Sequence, residues 1–273
     1  MASKVKKHED PQAEPSQEIK VIQSADATEA NTPHRLQIVN YSKKYSRSDY
    51  YATKDVSFTV DCGEVVGLVG SNGAGKSTII KALTGILPFS EGSISICGFD
   101  LIKQPEQAKS LIGYVPDDHS VYEKLTGREY INYMGSLYKA TKEQKQYATD
   151  TLAKHFEIDH ALDMQIANYS HGMRQKICIL GAIVHQPKLW VLDEPMVGLD
   201  PQTMALLRKY IRNYADKDHA VLFSSHNLDT VQKTCDKVVF IKKGTIASIV
   251  DLRGKVGFDL DAYFMKLNEV KDK

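Results

Sequence analysis

The chain has 273 residues, 42% of them hydrophobic and 25% charged, and a formal net charge of +1. That length can bury a sizeable core as one domain, or as one domain with a subdomain, and the near-neutral balance argues against a broad nucleic-acid-binding surface. No apolar run approaches the roughly 18 residues of a membrane span, and the N-terminus lacks the apolar stretch of a secretion signal. Cys62, Cys97, Cys178 and Cys235 are scattered without a CxxC pair. They read as reduced thiols of a cytoplasmic protein, not as a zinc site or a disulfide framework.

Residues 1–34 contain no glycine and no aromatic residue and are rich in Glu, Lys, Gln and Ser, which predicts a disordered polar tail. Beyond it, Val56, Phe58 and Val60 alternate with Ser57 and Thr59, and Ile94 and Ile96 alternate with Ser93 and Ser95. Such alternation predicts half-exposed antiparallel strands. Val65 to Val69, Leu189 to Leu192 and Val221 to Phe223 are unbroken apolar runs instead, as expected of strands covered on both faces of an α/β sheet. The predicted sheet is therefore mixed.

Directly after Val69 stands Gly70-Ser71-Asn72-Gly73-Ala74-Gly75-Lys76-Ser77-Thr78. Glycines let a backbone curl until successive N–H groups point inward, and the start of a following helix adds positive potential, so this loop can cradle a triphosphate. Ile79, Ile80, Leu83 and Ile86 predict the required helix over 76–86. Lys76 then reaches the β- and γ-phosphates and Ser77 ligates Mg²⁺.

Between about 117 and 168 the strand signal vanishes, and two capping boxes, Thr126 with Glu129 and Thr141 with Gln144, predict successive helices of a helical insertion. Tyr130, Met134, Leu137 and Tyr138 form an apolar stripe that predicts core. Tyr169-Ser170-His171-Gly172-Met173-Arg174-Gln175 opens the next helix. Ser170 is either a plain N-cap or, with Gly172, a second helix start aimed at phosphate. Leu189-Trp190-Val191-Leu192-Asp193-Glu194 is an apolar strand ending in two carboxylates. Phosphoryl transfer needs one acid to hold Mg²⁺ or its water shell, which suits Asp193, and another to orient or deprotonate water, which suits Glu194. Near the end, Tyr263, Phe264 and Leu267 lie on one face of the segment Phe258 to Leu267, which predicts a packed final helix.

Taken in order, Gly70 to Thr78, Ser170 to Gln175, Leu189 to Glu194, Gly198-Leu199-Asp200-Pro201 and Ser224-Ser225-His226 resemble the motifs of the nucleotide-binding subunit of an ATP-binding cassette (ABC) transporter. The resemblance covers about residues 36–250. It implies a P-loop NTPase core with a mixed sheet, an antiparallel β subdomain and an inserted α-helical subdomain, the ATPase domain spanning 35–252 and a helical extension 253–273. It further implies an ATPase using ATP and Mg²⁺, whose copies pair head to tail so that Ser170 and Gly172 of one close over ATP held at Gly70 to Thr78 of the other. Asp200 resembles the residue linking the two sites, and His226 the switch histidine that contacts the γ-phosphate and positions water with Glu194. Tyr45 resembles the aromatic that stacks on adenine, with Tyr41 and Tyr50 as neighbours that could be mistaken for it. An integral membrane permease, encoded separately, would dock on the helical insertion at the cytoplasmic face of the cell membrane.

Two positions depart from the family pattern. Pro116-Asp117-Asp118 stands where a glutamine is usual, so Asp117 either ligates Mg²⁺ or is a solvated loop acid. His171 stands where glycine is commonest, which resembles the branch that mostly drives export. A soluble ABC ATPase acting on a cytosolic complex is the alternative, although such proteins usually carry two cassettes or a long coiled-coil insertion. A small kinase or GTPase would leave the paired carboxylates and residues 170–175 unexplained.

Overall fold

The computed structural model describes residues 34–46, 49–255 and 257–269. The tail expected over 1–34 lies outside the described residues, apart from His34, which already opens strand β1. β1 (His34–Lys44) pairs antiparallel with β2 (Tyr51–Asp61) and with β4 (Glu91–Ile96), and the short β5 (Phe99–Asp100) closes this sheet in the order β2-β1-β4-β5. The register sets Ile38 opposite both Phe58 and Ile94. Their shared face is buried with Val56, Val60 and Ile96, which is what the alternating pattern requires.

A second sheet runs in the order β10-β9-β3-β8-β7-β6. β3 (Val65–Val69), β6 (Ile112–Val115), β7 (Leu189–Leu192), β8 (Ala220–Ser225) and β9 (Lys237–Lys242) are parallel, and β10 (Thr245–Asp251) is antiparallel to β9. The sheet is mixed, as its strand patterns predicted. Its apolar runs are unbroken because each face has its own core. Val65, Val69, Trp190, Leu192, Val221 and Phe223 face one cluster, whereas Val66, Leu68, Leu189, Val191 and Leu222 face the other. Between them Gly67 has no room for a side chain, since a Cβ there would stand 2.9 Å from Cys235 Sγ and from Val231.

Helix α1 (Lys76–Leu83) buries Ile79, Ile80 and Leu83 against the antiparallel sheet, but it is shorter than its predicted span. Gly85 takes a left-handed φ of 70°, and the Ile86 N–H turns back to the Lys81 carbonyl at 2.9 Å, a glycine-terminated stop. Ile86 is thereby left 59% exposed, outside the helix. A short α2 (Pro105–Ser110) leads to β6.

Both capping boxes form, at the starts of α3 (Gly127–Leu137) and α4 (Lys142–Tyr147). α4 passes through a π turn, Ala148–Leu152, into α5 (Ala153–His155). α3 packs on α6 (His171–Ile183), where Gly181 makes room for Tyr130 and Met134. Tyr138 continues this row by stacking on His185 at 4.0 Å. Leu137 does not belong to it. The contact follows the i, i+4, i+8 row, so Leu137 falls on its flank and is 61% exposed. The chain closes with α7 (Pro201–Tyr214), α8 (Leu228–Thr234) and α9 (Leu260–Glu269). Cys97, Cys178 and Cys235 are buried.

Candidate nucleotide site

The parallel register brings the site together. Val69 is level with Ser225, and Leu192 with Phe223, so the chain leaves β3, β7 and β8 at one edge, where loops of such sheets gather ligands. Gly70 to Thr78, Asp193 with Glu194, and His226 follow these three ends.

Gly73 and Gly75 hold φ of 78° and 110°, the left-handed conformations that curl the loop. A Cβ on Gly75 would meet the Ala52 carbonyl at 2.8 Å, so β2 presses on the loop from outside. Ser71, Asn72 and Gly73 are exposed, Ala74 is buried, and the Thr78 hydroxyl is 3.4 Å from the Tyr45 phenol. Lys76 is buried, yet its Nζ donates to the Gly70 carbonyl at 2.8 Å and stands 3.7 Å from Glu194 Oε1. The ammonium is thus held inside the curl of the loop.

Asp193 is fully buried. Its Oδ1 accepts from the Ser224 hydroxyl at 2.5 Å, while among the described residues no hydrogen bond of standard geometry reaches Oδ2. Burial raises its carboxyl above the usual carboxylate range, opposed by the hydroxyls of Ser224 and Ser77. An orphaned buried carboxylate oxygen beside a serine hydroxyl is a hard-oxygen donor set, and it fits Mg²⁺. Among the described residues no group of three His, Cys, Asp or Glu could hold a metal. Asp117 is exposed after β6, close enough for its charge to help raise Asp193.

Glu194 sits at φ 49°, a costly conformation for a non-glycine residue. Its N–H donates to Ser224 Oγ at 2.9 Å, which holds the outlier in place. Its Oε2 is 3.0 Å from Nδ1 of the exposed His226. Lys76, Glu194 and His226 therefore converge, and Ser224 orients both acids. Ser224 was visible in the sequence only as part of a motif, because its link to two acids on a neighbouring strand has no local signature.

Tyr45 is 43% exposed, and Lys43 Nζ lies 5.8 Å from its ring centroid. Tyr41 is buried edge-on against Phe89 and presents no free face, and Tyr50 is exposed. Ser170 caps α6, accepting from the Met173 N–H at 3.3 Å. Among the described residues no hydrogen bond joins Ser170 to the loop 70–78 of its own chain. A Cβ on Gly172 would meet nothing within 4 Å, so no contact inside the chain demands glycine there. Asp200 caps α7 through Thr203, whose N–H and Oγ lie at 2.9 and 2.6 Å, and these bonds hold its carboxyl low.

Several links escaped the sequence reading. Gln175, fully buried, donates to the Pro195 carbonyl and ties α6 to the loop after Glu194. Arg174 pairs with Glu123 at 2.7 Å. His119, buried after Asp117 and Asp118, meets His171 edge-on at 5.4 Å, and His171 in turn fills the space beside Gly198.

A strand, a glycine loop over a helix start and two acids on the adjoining strand define a P-loop NTPase. The ABC transporter family profile matches residues 53–197. The ABC transporter ATP-binding protein NatA of Bacillus subtilis (strain 168) is 36% identical over 196 residues, 71% of this chain and 80% of NatA. A solved ATP-binding subunit of an ABC transporter superposes with a TM-score of 0.80 at 32% identity, covering 86% of this chain and 99% of that one. The same fold recurs, at 23% identity and a TM-score of 0.70, in a dimeric ATP-binding cassette bound to ADP and Pi, over 80% of this chain and 99% of that one. The chain belongs to the ABC transporter family, as an ATP-binding subunit. Among the described residues no helix is long and apolar enough to cross a membrane.

Proposed function

We propose that this chain hydrolyses ATP as a head-to-tail dimer and energises a separate membrane permease from the cytoplasmic face of the membrane, in the direction of export. The observation that carries the reading is the convergence of Lys76, Glu194 and His226 at the phosphate loop. In this reading Gly70 to Thr78 bind the triphosphate and Tyr45 stacks on the adenine. Lys76 exchanges its carbonyl contact for β- and γ-oxygens. Ser77 and Asp193, with Asp117 as a further acid, would hold Mg²⁺, which would supply positive charge beside the phosphates. Glu194 accepts the proton of a water whose oxygen attacks the γ-phosphorus, the bond to the bridging oxygen breaks, and ADP and phosphate leave. His226 keeps the Glu194 carboxylate aimed.

The dimer is supported by two features of the chain. Among the described residues Ser170 makes no hydrogen bond to its own phosphate loop, and the space beside Gly172 is open to an approaching phosphate. Asp200, exposed at the start of α7, is then available to a second copy. The ATP-binding cassette of the same fold that is bound to ADP and Pi is itself dimeric. Export rests on the resemblance at 170–175 and at Asp117. Size-exclusion chromatography of Glu194→Gln with saturating ATP and Mg²⁺ tests the dimer. A dimer that appears only with nucleotide is expected, and a variant that stays monomeric with and without its permease refutes the sandwich.

A further inference from the structure

The C-terminal helix takes no part in the proposed chemistry, yet it reaches the nucleotide site by two routes. Phe264 of α9 stacks on Phe240 of β9 with ring centroids 5.7 Å apart, and Tyr263 tilts against the same ring at 5.7 Å. The Tyr263 phenol shares a 2.7 Å hydrogen bond with Ser248 of β10, and Lys242 Nζ donates to the Leu267 carbonyl at 3.2 Å. β9 and the turn that follows it also touch the phosphate loop. The Ile241 carbonyl fills the space a Cβ on Gly70 would need, and the Gly244 N–H donates to the Ala74 carbonyl at 2.9 Å. A cavity of ≈ 20 Å³ is lined by Ser71 of the loop together with Phe264 and Leu267 of the helix. The second route runs through α8. Gln232 Nε2 donates to the Phe258 carbonyl at 2.7 Å, and its Oε1 accepts from the Leu260 N–H at 3.0 Å. α8 begins just after His226 and Asn227.

We infer that Phe264 is a positioning residue for nucleotide binding, holding Ile241 against Gly70 and Gly244 against Ala74 so that the loop keeps its curl, with Gln232 clamping the helix in register. The inference rests on the reading that Gly70 to Thr78 take ATP. A triphosphate cradle works only while its N–H groups converge, and a supporting shell about 1 Å too loose no longer holds them there. A helix that merely adds core would change stability and leave affinity alone. Phe264 does both, because the strand it covers is the wall of the loop.

The test titrates the full-length chain with a fluorescent ATP analogue and Mg²⁺, with thermal unfolding followed in parallel. Phe264→Ala and Gln232→Ala are each expected to raise Kd by about threefold or more relative to the wild type. A smaller change in every folded variant overturns the inference, whatever happens to the melting temperature. If Phe264→Ala does not fold, Gln232→Ala, at an exposed position, decides alone by the same threshold. Lys76→Ala is the reference for a lost site. A wild type that binds no tighter than Lys76→Ala overturns the nucleotide reading itself, and this inference with it.

Discussion

Ser224 donates its hydroxyl proton to Asp193 Oδ1 at 2.5 Å while its oxygen accepts the Glu194 N–H at 2.9 Å. One side chain on β8 thus fixes a buried acid and the strained residue beside it. Ser224→Ala removes both bonds and leaves a buried carboxylate oxygen unpaired, a loss of about 1–3 kcal/mol of stability. ATP turnover should fall by about tenfold or more as Glu194 leaves its φ of 49°, since misdirected general bases forfeit catalysis first. Steady-state kinetics should show the fall in kcat and little change in KM.

Asp193 makes the pH dependence of stability testable. Its carboxyl is raised above 3.8 by burial, so between 3.8 and its higher folded value the native state binds the proton that the unfolded state releases. Stability then falls as pH rises through that window. Asp193→Asn keeps an acceptor for Ser224 and removes the titration, so the difference in melting temperature, Asn minus Asp, should grow as the pH rises above 3.8 in metal-free buffer. Adding Mg²⁺ with ATP should raise the wild type and leave Asp193→Asn unmoved.

Gly172 separates a role inside the chain from one between copies. A Cβ there meets nothing within 4 Å, so Gly172→Val should hold the stability of the isolated chain within about 0.5 kcal/mol. If a second copy brings ATP to this position, the same variant should abolish nucleotide-dependent dimerisation by light scattering.

Tyr45 is exposed beside Thr78, and an aromatic face stacks on a base without reading its edges. Tyr45→Ala should raise KM for ATP by about two- to tenfold, the equivalent of a stacking contact of about 0.5–1.5 kcal/mol. Tyr45→Phe should bind as the wild type does, and GTP should suffer in the same proportion as ATP.

Most of the fold was legible because its signals are local. The switch between alternating and unbroken apolar runs separates the antiparallel sheet from the doubly covered one, and both capping boxes stand where Thr126 with Glu129 and Thr141 with Gln144 put them. The errors came at ends and flanks. Periodicity puts Ile86 in a helix that Gly85 stops, and Leu137 in a core row that Tyr138 continues instead. Neither follows from periodicity alone, since spacing does not say where the facing element ends.

The sequence by itself determined that this chain has a phosphate loop, two acids at a strand end and a capped glycine-bearing helix start. Each of these is built from neighbouring residues whose backbone needs are set locally. Only the tertiary structure decided that Ser224 would hold Asp193 and Glu194 together, that Gln175 would anchor the loop at Pro195, and that Phe264 would stand behind the phosphate loop. Those contacts join residues 20 or more positions apart. They exist because strand order and burial bring their carriers to one edge of the sheet, which no stretch of sequence encodes on its own.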